Sequence, residues 1–389
     1  MIFKIPTAGL QLRHQKTRLL VALAGVIFAV VIVFVQFGLK HSLFESAVRF
    51  HQSLQGDVFL ISPKSNALIA MESFNKKRLW QSLAFKEVEF ISPIYLGFAQ
   101  WQNPQDKKYW RKIFVIGIDA RRSVLNLPGM QENRNKLKIP ENILFDQNSR
   151  YEFGSIISSV KEKGKVATQL TQAGQTIKID VVGLFELGTS FGADGNIVTS
   201  DVNFLRIFNK RPQTAIDVGL IKLKPGVNRE EFARKLRAYL PKDVKVLSKQ
   251  EYIEFEQDYW NSSTAIGFIF SLGIVLGIVV GVVVVYQILY SNVSEHLSEY
   301  ATLKAIGYRN SYLLSMILQQ ATFIAVLGYI PGFLLSIIIY EVAKKATFLP
   351  IAMTVQRAIW VFFLTLIMCF IAGATAIKKL KDADPADIF

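Results

Sequence analysis

Residues 265–290, "AIGFIFSLGIVLGIVVGVVVVYQILY", carry no charge in 26 positions, and the polar stretch "SEHLSEYATLKAIGYRN" (294–310) follows almost at once. The first segment exceeds the roughly 20 apolar residues that a helix needs to cross a bilayer. The second is too polar to stay inside one, and a further apolar run, "ILQQATFIAVLGYIPGFLLSIIIY" (317–340), lies beyond it. Two spans joined by a short polar link decide the fold class. The side of the membrane on which that link lies decides what it can touch.

Two more segments pass the same length test: "LLVALAGVIFAVVIVFVQFGL" (19–39) and "AIWVFFLTLIMCFIAGATAI" (358–377). The first has Arg13, Lys16 and Arg18 before it, like a secretory signal. It is long for such a signal, and "FGLKHSLFES" offers no small-residue cleavage site, so it reads as a retained anchor. In the third span Gln319, Gln320 and Pro331 suggest a helix facing its neighbours. Cytoplasmic flanks collect Lys and Arg. Lys4, Arg13, Lys16 and Arg18 precede the first span, and Lys378, Lys379 and Lys381 follow the last. Both termini are therefore expected in the cytoplasm. The resulting order is a basic leader (1–18), a span (19–39), an outer domain (40–264), a span (265–290), a cytoplasmic loop (291–316), a span (317–340), a short outer loop (341–357), a span (358–377) and a cytoplasmic tail (378–389).

The whole chain, 389 residues, is 51% hydrophobic and only 19% charged, yet its formal net charge is +15. Such a balance first suggests nucleic acid or an anionic membrane surface. The basic residues are scattered rather than striped, and no nucleic-acid module is recognisable, so no nucleic-acid partner is expected. Cys369 is the sole cysteine, which excludes an intrachain disulfide, and His14, His41, His51 and His296 lack metal-ligand spacing. No metal site is expected. "GTSFG" (188–192) fits the G-x-S-x-G nucleophile pattern with Ser190 in the centre. The histidine base that this chemistry needs is missing in the required chain order, because His296 falls on the other side of the membrane. Ser190 reads as a turn residue, and no catalytic residue is assigned. No G-x-x-x-x-G-K-[ST] phosphate cradle occurs, so any ATP must be bound by another subunit.

The outer domain, 40–264, has 33 Lys and Arg against 24 Asp and Glu. Runs of period two alternate with helical runs, an α+β pattern. Strands are expected at 57–62, 87–92, 112–118, 165–170, 176–187, 195–200, 215–223 and 244–247. Helices are expected at 74–85 and 228–240, the latter capped by Asn228. A last helix from about Ser248 to Trp260 is expected to run into the second span. A β-rich insertion is placed near 125–205. The clusters Lys76–Lys77–Arg78 and Arg121–Arg122 are candidate contacts for a partner protein or a lipid headgroup. In the second span Gly273, Gly277 and Gly281 form two overlapping G-x-x-x-G patterns, which permit close helix packing or dimerisation.

The polar link reads as a short helix with marked ends. Ser294 suits the N-cap and Glu295 the first turn, Lys304 the last turn and Gly307 the stop, and Asn310 caps the next helix. Glu295, Glu299, Leu303 and Ile306 share one side, and Leu297, Tyr300, Ala301 and Lys304 the other. Apolar groups on both sides call for contacts on both sides. Two leading glutamates suit an anionic leaflet poorly, which favours a protein partner over lipid.

"SEYATLKAIGYRNSYLLSMILQQ" resembles the segment after the second span of MacB/FtsX-type permeases, the membrane subunits of type VII ABC systems. The resemblance extends over the basic leader and first span, the large outer domain and the three clustered spans ending in "KDADPADIF". "HQSLQGDVFLISPKSNALIAM" and "FELGTSFGADGNIVTSDVNFLRIF" look in particular like DevC-type permeases of cyanobacterial DevBCA exporters. The family's apolar "EIGILRAIGA" is "EYATLKAIGY" here, with Tyr300 and Thr302 at apolar positions. The resemblance implies a four-helix membrane protein of the inner membrane whose α+β extracytoplasmic domain combines a Porter-like part with a Sabre-like insertion. It implies that Glu295, Leu297, Glu299, Tyr300, Leu303, Lys304, Ala305, Ile306 and Gly307 form a coupling helix docked on a separate ABC ATPase of the DevA or MacB kind. ATP and Mg would then sit on that ATPase and none on this chain. A homodimer, a periplasmic HlyD-type adaptor and a TolC-like outer-membrane duct are implied partners, and a glycolipid-like or other amphiphilic molecule the implied cargo. The spans hold no ionisable residue, so no ion path is expected through them. An FtsX-like signalling subunit that activates an extracytoplasmic hydrolase is the alternative; a lipoprotein-releasing permease and a membrane-bound hydrolase rank below it.

Overall fold

The computed structural model describes residues 16–296, 298, 299, 302, 306–308 and 310–382. The chain divides into two compact units. One holds the apolar helices through Ser42, from Ala265 to Ala346 and from Ile351 onward; the other is Leu43–Thr264 with Thr347–Pro350. Among the described residues four helices are long and apolar enough to cross a membrane, each coinciding with one of the four apolar segments.

In the membrane unit, the first span is gripped from two sides through glycine. A Cβ on Gly25 would lie 2.1 Å from Val284 of the second span, and one on Gly328 of the third span would lie 2.6 Å from Val26. Ala22, Val26, Ala29, Val30, Val33 and Phe34 form the buried stripe of that helix. Tyr329 donates its hydroxyl to the Ala358 carbonyl at 2.8 Å, tying the third span to the fourth. Gln320 is buried and Gln319 half-buried, as a bundle-facing pair should be. Pro331 lies on a side of its helix that is exposed within this chain.

Two helix ends also differ from the sequence reading. The first helix does not stop with its apolar run near 39 but continues to Ser53. Residues 43–53 are amphipathic, and Leu43, Ala47, Val48 and Phe50 bury one face in the extracytoplasmic unit. The last helix of that unit, Lys249–Asp258, opens with a full capping box in which Ser248 and Glu251 satisfy each other's backbone N–H groups. It does not run into the second span. A π turn, Tyr259–Ser263, follows it, and Thr264 is extended at φ −121°, ψ 153°.

The extracytoplasmic unit is built on eleven strands: β1 (Val58–Ile61), β2 (Phe74–Asn75), β3 (Val88–Gln102), β4 (Trp110–Ile118), β5 (Asn142–Asp146), β6 (Val166–Gln172), β7 (Gln175–Phe185), β8 (Asn196–Ser200), β9 (Ala215–Ile216), β10 (Val218–Leu223) and β11 (Lys245–Ser248). Nine form one sheet in the order β11-β1-β10-β3-β4-β8-β5-β7-β6, while β2 and β9 pair separately. β4 and β8 are parallel, as are β5 and β7; the remaining pairs are antiparallel. The fifteen-residue β3 pairs with β10 through its first half and also with β6 at Gln100–Thr171 and Trp101–Leu170. That second pairing closes β3, β4, β8, β5, β7 and β6 into a ring, which removes two open edges. The stretch expected as an insertion is thus woven into the main sheet through β3 and β4.

Alternation along the strands divides the apolar residues between two cores. Val58 and Leu60 join Trp101, Phe145 and Phe204 in one, and Phe59 and Ile61 join Phe114, Phe185 and Tyr252 in the other. Inside the ring the Trp101 indole N–H donates to the Phe153 carbonyl at 3.0 Å, so its polar atom is not left unpaired. The short helix Asp201–Ile207, capped by Ser200, lies close on β3 and β4 because Gly97 and Gly117 present no Cβ to Phe208 and Phe204.

Candidate functional site

The helix of the second span, Ala265–Glu295, carries its periodicity past the apolar run, with Leu289, Asn292 and Val293 buried. Ser294 therefore belongs to the last turn of this helix and does not cap the polar one, a correction that moves the start of the polar helix beyond His296. His296 is a turn residue whose N–H still reaches the Asn292 carbonyl at 3.2 Å. Ser298, Glu299 and Thr302 are helical; Thr302 donates its hydroxyl to the Ser298 carbonyl at 2.8 Å, and His296 Nδ1 lies 3.0 Å from Glu299 Oε1. Gly307, with φ +101°, turns the chain in a region that costs little only for glycine. The helix of the third span then begins at Asn310.

Glu295, Ser298, Glu299 and Thr302 are exposed, and Ile306 is 72% exposed. Tyr308 and Tyr312, both exposed and shortly after Ile306 in the chain, lie with ring centroids 4.8 Å apart and their planes tilted by 42°. Among the described residues of the link, the exposed isoleucine and the exposed tyrosine pair, close together in the chain, are the apolar groups it presents. Leu297, Tyr300, Leu303, Lys304 and Ala305 lie outside the described residues.

Gly273, Gly277 and Gly281 of the second span face other helices of the same chain. A Cβ on Gly273 would lie 2.4 Å from the Gln36 amide, one on Gly277 3.0 Å from Ile32, and one on Gly281 2.1 Å from Met368 Sδ and 2.9 Å from Ala29 Cβ. The seam thus lets the second span approach the first closely and, at Gly281, the fourth as well.

The two basic clusters are partly engaged in local pairs. Arg78 holds Asp243 through Nη2 at 2.7 Å and Nε at 2.9 Å, and Lys76 Nζ sits 5.8 Å from the Trp80 ring centroid. Lys77 is exposed on the same short helix, Lys77–Gln81. Arg121 pairs with Asp119 at 3.0 Å, and Arg122 lies over Phe90. Ser190 is a turn residue: its N–H donates to the Ala193 carbonyl at 2.9 Å and its hydroxyl accepts from Gly192 at 3.3 Å. Among the described residues no group of three or more His, Cys, Asp or Glu is placed to hold a metal.

One cluster was invisible to pattern reading. Glu256 is buried between the first helix and the Leu68–Ala70 turn, accepting from the Leu68 N–H at 2.7 Å and the Trp260 indole at 2.8 Å. The buried His51 imidazole lies 3.6 Å from it, and Tyr252 packs on His51 with centroids 4.4 Å apart. Burial pushes the Glu256 carboxyl up to about 7, against the opposing pull of its two N–H donors. Burial likewise drives the Tyr252 phenol well above its usual range. His51 and Glu256 are 205 positions apart in the chain, so no local spacing could have paired them.

Comparison with known proteins gives two family matches. A model of the MacB-like periplasmic core domain matches residues 19–239. A model of the FtsX-like permease C-terminal region matches residues 259–385. No curated protein is similar enough to count as a match. Among solved structures, the periplasmic region of MacB from Actinobacillus actinomycetemcomitans is similar at 10% identity and a TM-score of 0.36, over 51% of this chain and 92% of that one. The extracellular domain of the noncanonic ABC-type transporter YknZ from Gram-positive bacteria is similar at 13% identity and a TM-score of 0.34, over 49% and 99% respectively.

Proposed function

The chain belongs to the MacB/FtsX-type ABC permease family, and from that premise we propose that it is the permease of a tripartite exporter, driven by a separate ATPase. It is a multi-pass inner-membrane protein, and permeases of this family work with an ATPase partner. In the proposed machine two copies of this chain hold two ATPase subunits of the DevA or MacB kind, on which ATP and Mg are bound. Both termini and the 291–316 loop lie on the cytoplasmic side. Closure of the ATPases draws the polar links together, and the motion passes along the second span to the extracytoplasmic unit. An HlyD-type adaptor and a TolC-like duct then carry an amphiphilic, glycolipid-like cargo outward, as in DevC-type systems.

The observation that carries this reading is the polar link itself. It ends in a glycine stop and presents exposed Ile306 with the Tyr308–Tyr312 pair, between the second and third spans. Exposed apolar and aromatic side chains of that kind suit a protein groove. Leu303, which a helical period of about 3.6 assigns to the side of Ile306, provides the test. An anchor at the centre of an interface is worth about 2 kcal/mol or more. Leu303→Asp should therefore weaken ATPase association about thirtyfold and abolish adaptor-stimulated ATP turnover while the chain stays folded. Undiminished stimulated turnover in a folded Leu303→Asp protein would overturn the coupling assignment.

A further inference from the structure

The loop between β7 and β8 is built to hold a phenylalanine outward. Asp146, buried at the end of β5, accepts from the N–H groups of Leu187 at 3.0 Å and Gly188 at 2.8 Å, and from the Asn196 amide at 2.8 Å. The same Asn196 amide donates to the Gly188 carbonyl at 2.9 Å, and Gly188 takes φ +98°. Ser190 and Ala193 close the tip by exchanging backbone hydrogen bonds. Gly192 comes so near Ile69 that a Cβ there would lie 2.2 Å from it. Leu187, Thr189 and Ala193 are buried, yet Phe191 at the tip is 49% exposed. A loose loop would turn an unpartnered ring inward. This one is pinned at its base, its tip and one flank.

Phe191 leans its inner edge on the buried Trp260, centroids 6.2 Å apart. Trp260 lies five residues before Ala265, where the second span begins, and exposed Phe268 and Ile269 follow within one turn of that start. Five residues reach at most about 18 Å. Nearby in the same unit, Thr189 donates its hydroxyl to the Phe348 carbonyl at 3.2 Å. Phe348 directly follows the helix of the third span, Asn310–Thr347. It adopts φ +59°, an uncommon backbone for a bulky residue, and its ring lies 6.4 Å from the exposed Tyr151. The aromatic groups thus gather around residues of this unit, Trp260 and Phe348, that adjoin the apolar helices in the chain. Asp194, the loop acid nearer the tip, is paired with Arg111 at 2.6 Å and Arg150 at 2.7 Å, and Glu186 at the loop's base accepts from the Gln147 amide, so the tip itself presents no unbalanced carboxylate to anionic headgroups.

Tyr and Trp rings settle at the level of the lipid headgroups, and exposed Phe of interfacial segments buries at the headgroup–acyl boundary. We propose that Phe191, flanked by Tyr151 and Phe348, inserts into the outer leaflet of the bilayer and seats the extracytoplasmic unit on the membrane surface. This assignment needs only the membrane-spanning character of the neighbouring helices and stands apart from the export reading.

The test uses the full chain with Cys369→Ala, in phosphatidylcholine nanodiscs. Phe191→Cys and Tyr151→Cys each receive a nitroxide label. Val202→Cys serves as the aqueous control, since Val202 is 74% exposed and follows the far end of β8. Power saturation compares access of apolar oxygen with access of a water-soluble nickel chelate. The account expects an oxygen-to-nickel ratio severalfold higher at 191 than at 202, with 151 raised in the same direction. A ratio at 191 equal to that at 202 would overturn it, and so would shielding from both reagents, which would mean that protein covers the tip. Should Phe191→Cys fail to fold, an aqueous ratio at 151 overturns the proposal by itself.

Discussion

Gly281→Ala adds one methyl group to the helix seam, and the structure sets its cost. The new Cβ would stand 2.1 Å from Met368 Sδ and 2.9 Å from Ala29 Cβ. Carbon atoms in contact rest about 3.5–4.0 Å apart. The Met368 thioether is flexible and can swing aside. Ala29 Cβ is fixed to its helix backbone, so the first and second spans must separate by roughly 0.6–1.1 Å at that point. Overpacking of this kind costs about 1–3 kcal/mol. Alanine returns about 1 kcal/mol of helix propensity, so the net effect is a loss of up to about 2 kcal/mol. The double variant Gly281→Ala with Ala29→Gly moves the missing methyl across the seam and should recover at least half of that loss. Reversible unfolding in mixed micelles measures all four corners of the cycle. Additive effects with no recovery, or a change of oligomeric state without loss of monomer stability, would refute the intrachain packing.

Glu256 makes stability depend on pH with a definite sign. Its folded value near 7 exceeds the unfolded 4.5, so its own contribution is complete below about pH 4.5 and is lost as pH rises through 7, a span worth about 3 kcal/mol. Glu256→Gln in the full chain should flatten thermal stability across that window; an unchanged profile would mean that folding does not raise the carboxyl's pKa. Asp146→Ala leaves the donors of Leu187, Gly188 and Asn196 without their acceptor, a cost of about 3 kcal/mol or more, and should speed amide exchange at Leu187 and Gly188 by at least about a hundredfold. Equal exchange would show that the loop is held by other means. Ser190→Ala should leave folding and coupled ATP turnover unchanged, and a fluorophosphonate probe should not label the native chain at Ser190. Labelling at that residue would revive the hydrolase reading.

Much of the fold is legible because burial in lipid demands a simple pattern. All four apolar runs coincide with long helices, and Asn228 accepts from the N–H groups of Glu230 and Glu231, as its position before "REEF" suggests. Helix ends were read less well where tertiary packing takes over from hydropathy. The first helix continues from 40 to 53 because its amphipathic face has the sheet to pack on, which a hydropathy window does not register. Ser294 has the composition of a cap, but burial of Asn292 and Val293 holds it in the preceding helix. The ring closed by β3 and β6 depends on two residue pairs about 70 positions apart, beyond any local period. The Glu256 cluster and the Asp146 anchor are of the same long-range kind. The polar link stood out from sequence alone because its polarity contrasts so sharply with its flanks.

The central claim is that the polar link receives a separate ATPase, and photo-crosslinking from position 306 tests it most directly. Ile306 is exposed, so a photoreactive phenylalanine analogue in its place disturbs little packing. The experiment belongs in native membranes with the partner genes expressed, and mass spectrometry identifies whatever is caught. The account predicts a crosslink to a soluble ABC ATPase that strengthens when ATP is bound. A folded, expressed protein that captures only lipid would contradict it, because the link would then be a surface anchor and not a coupling element.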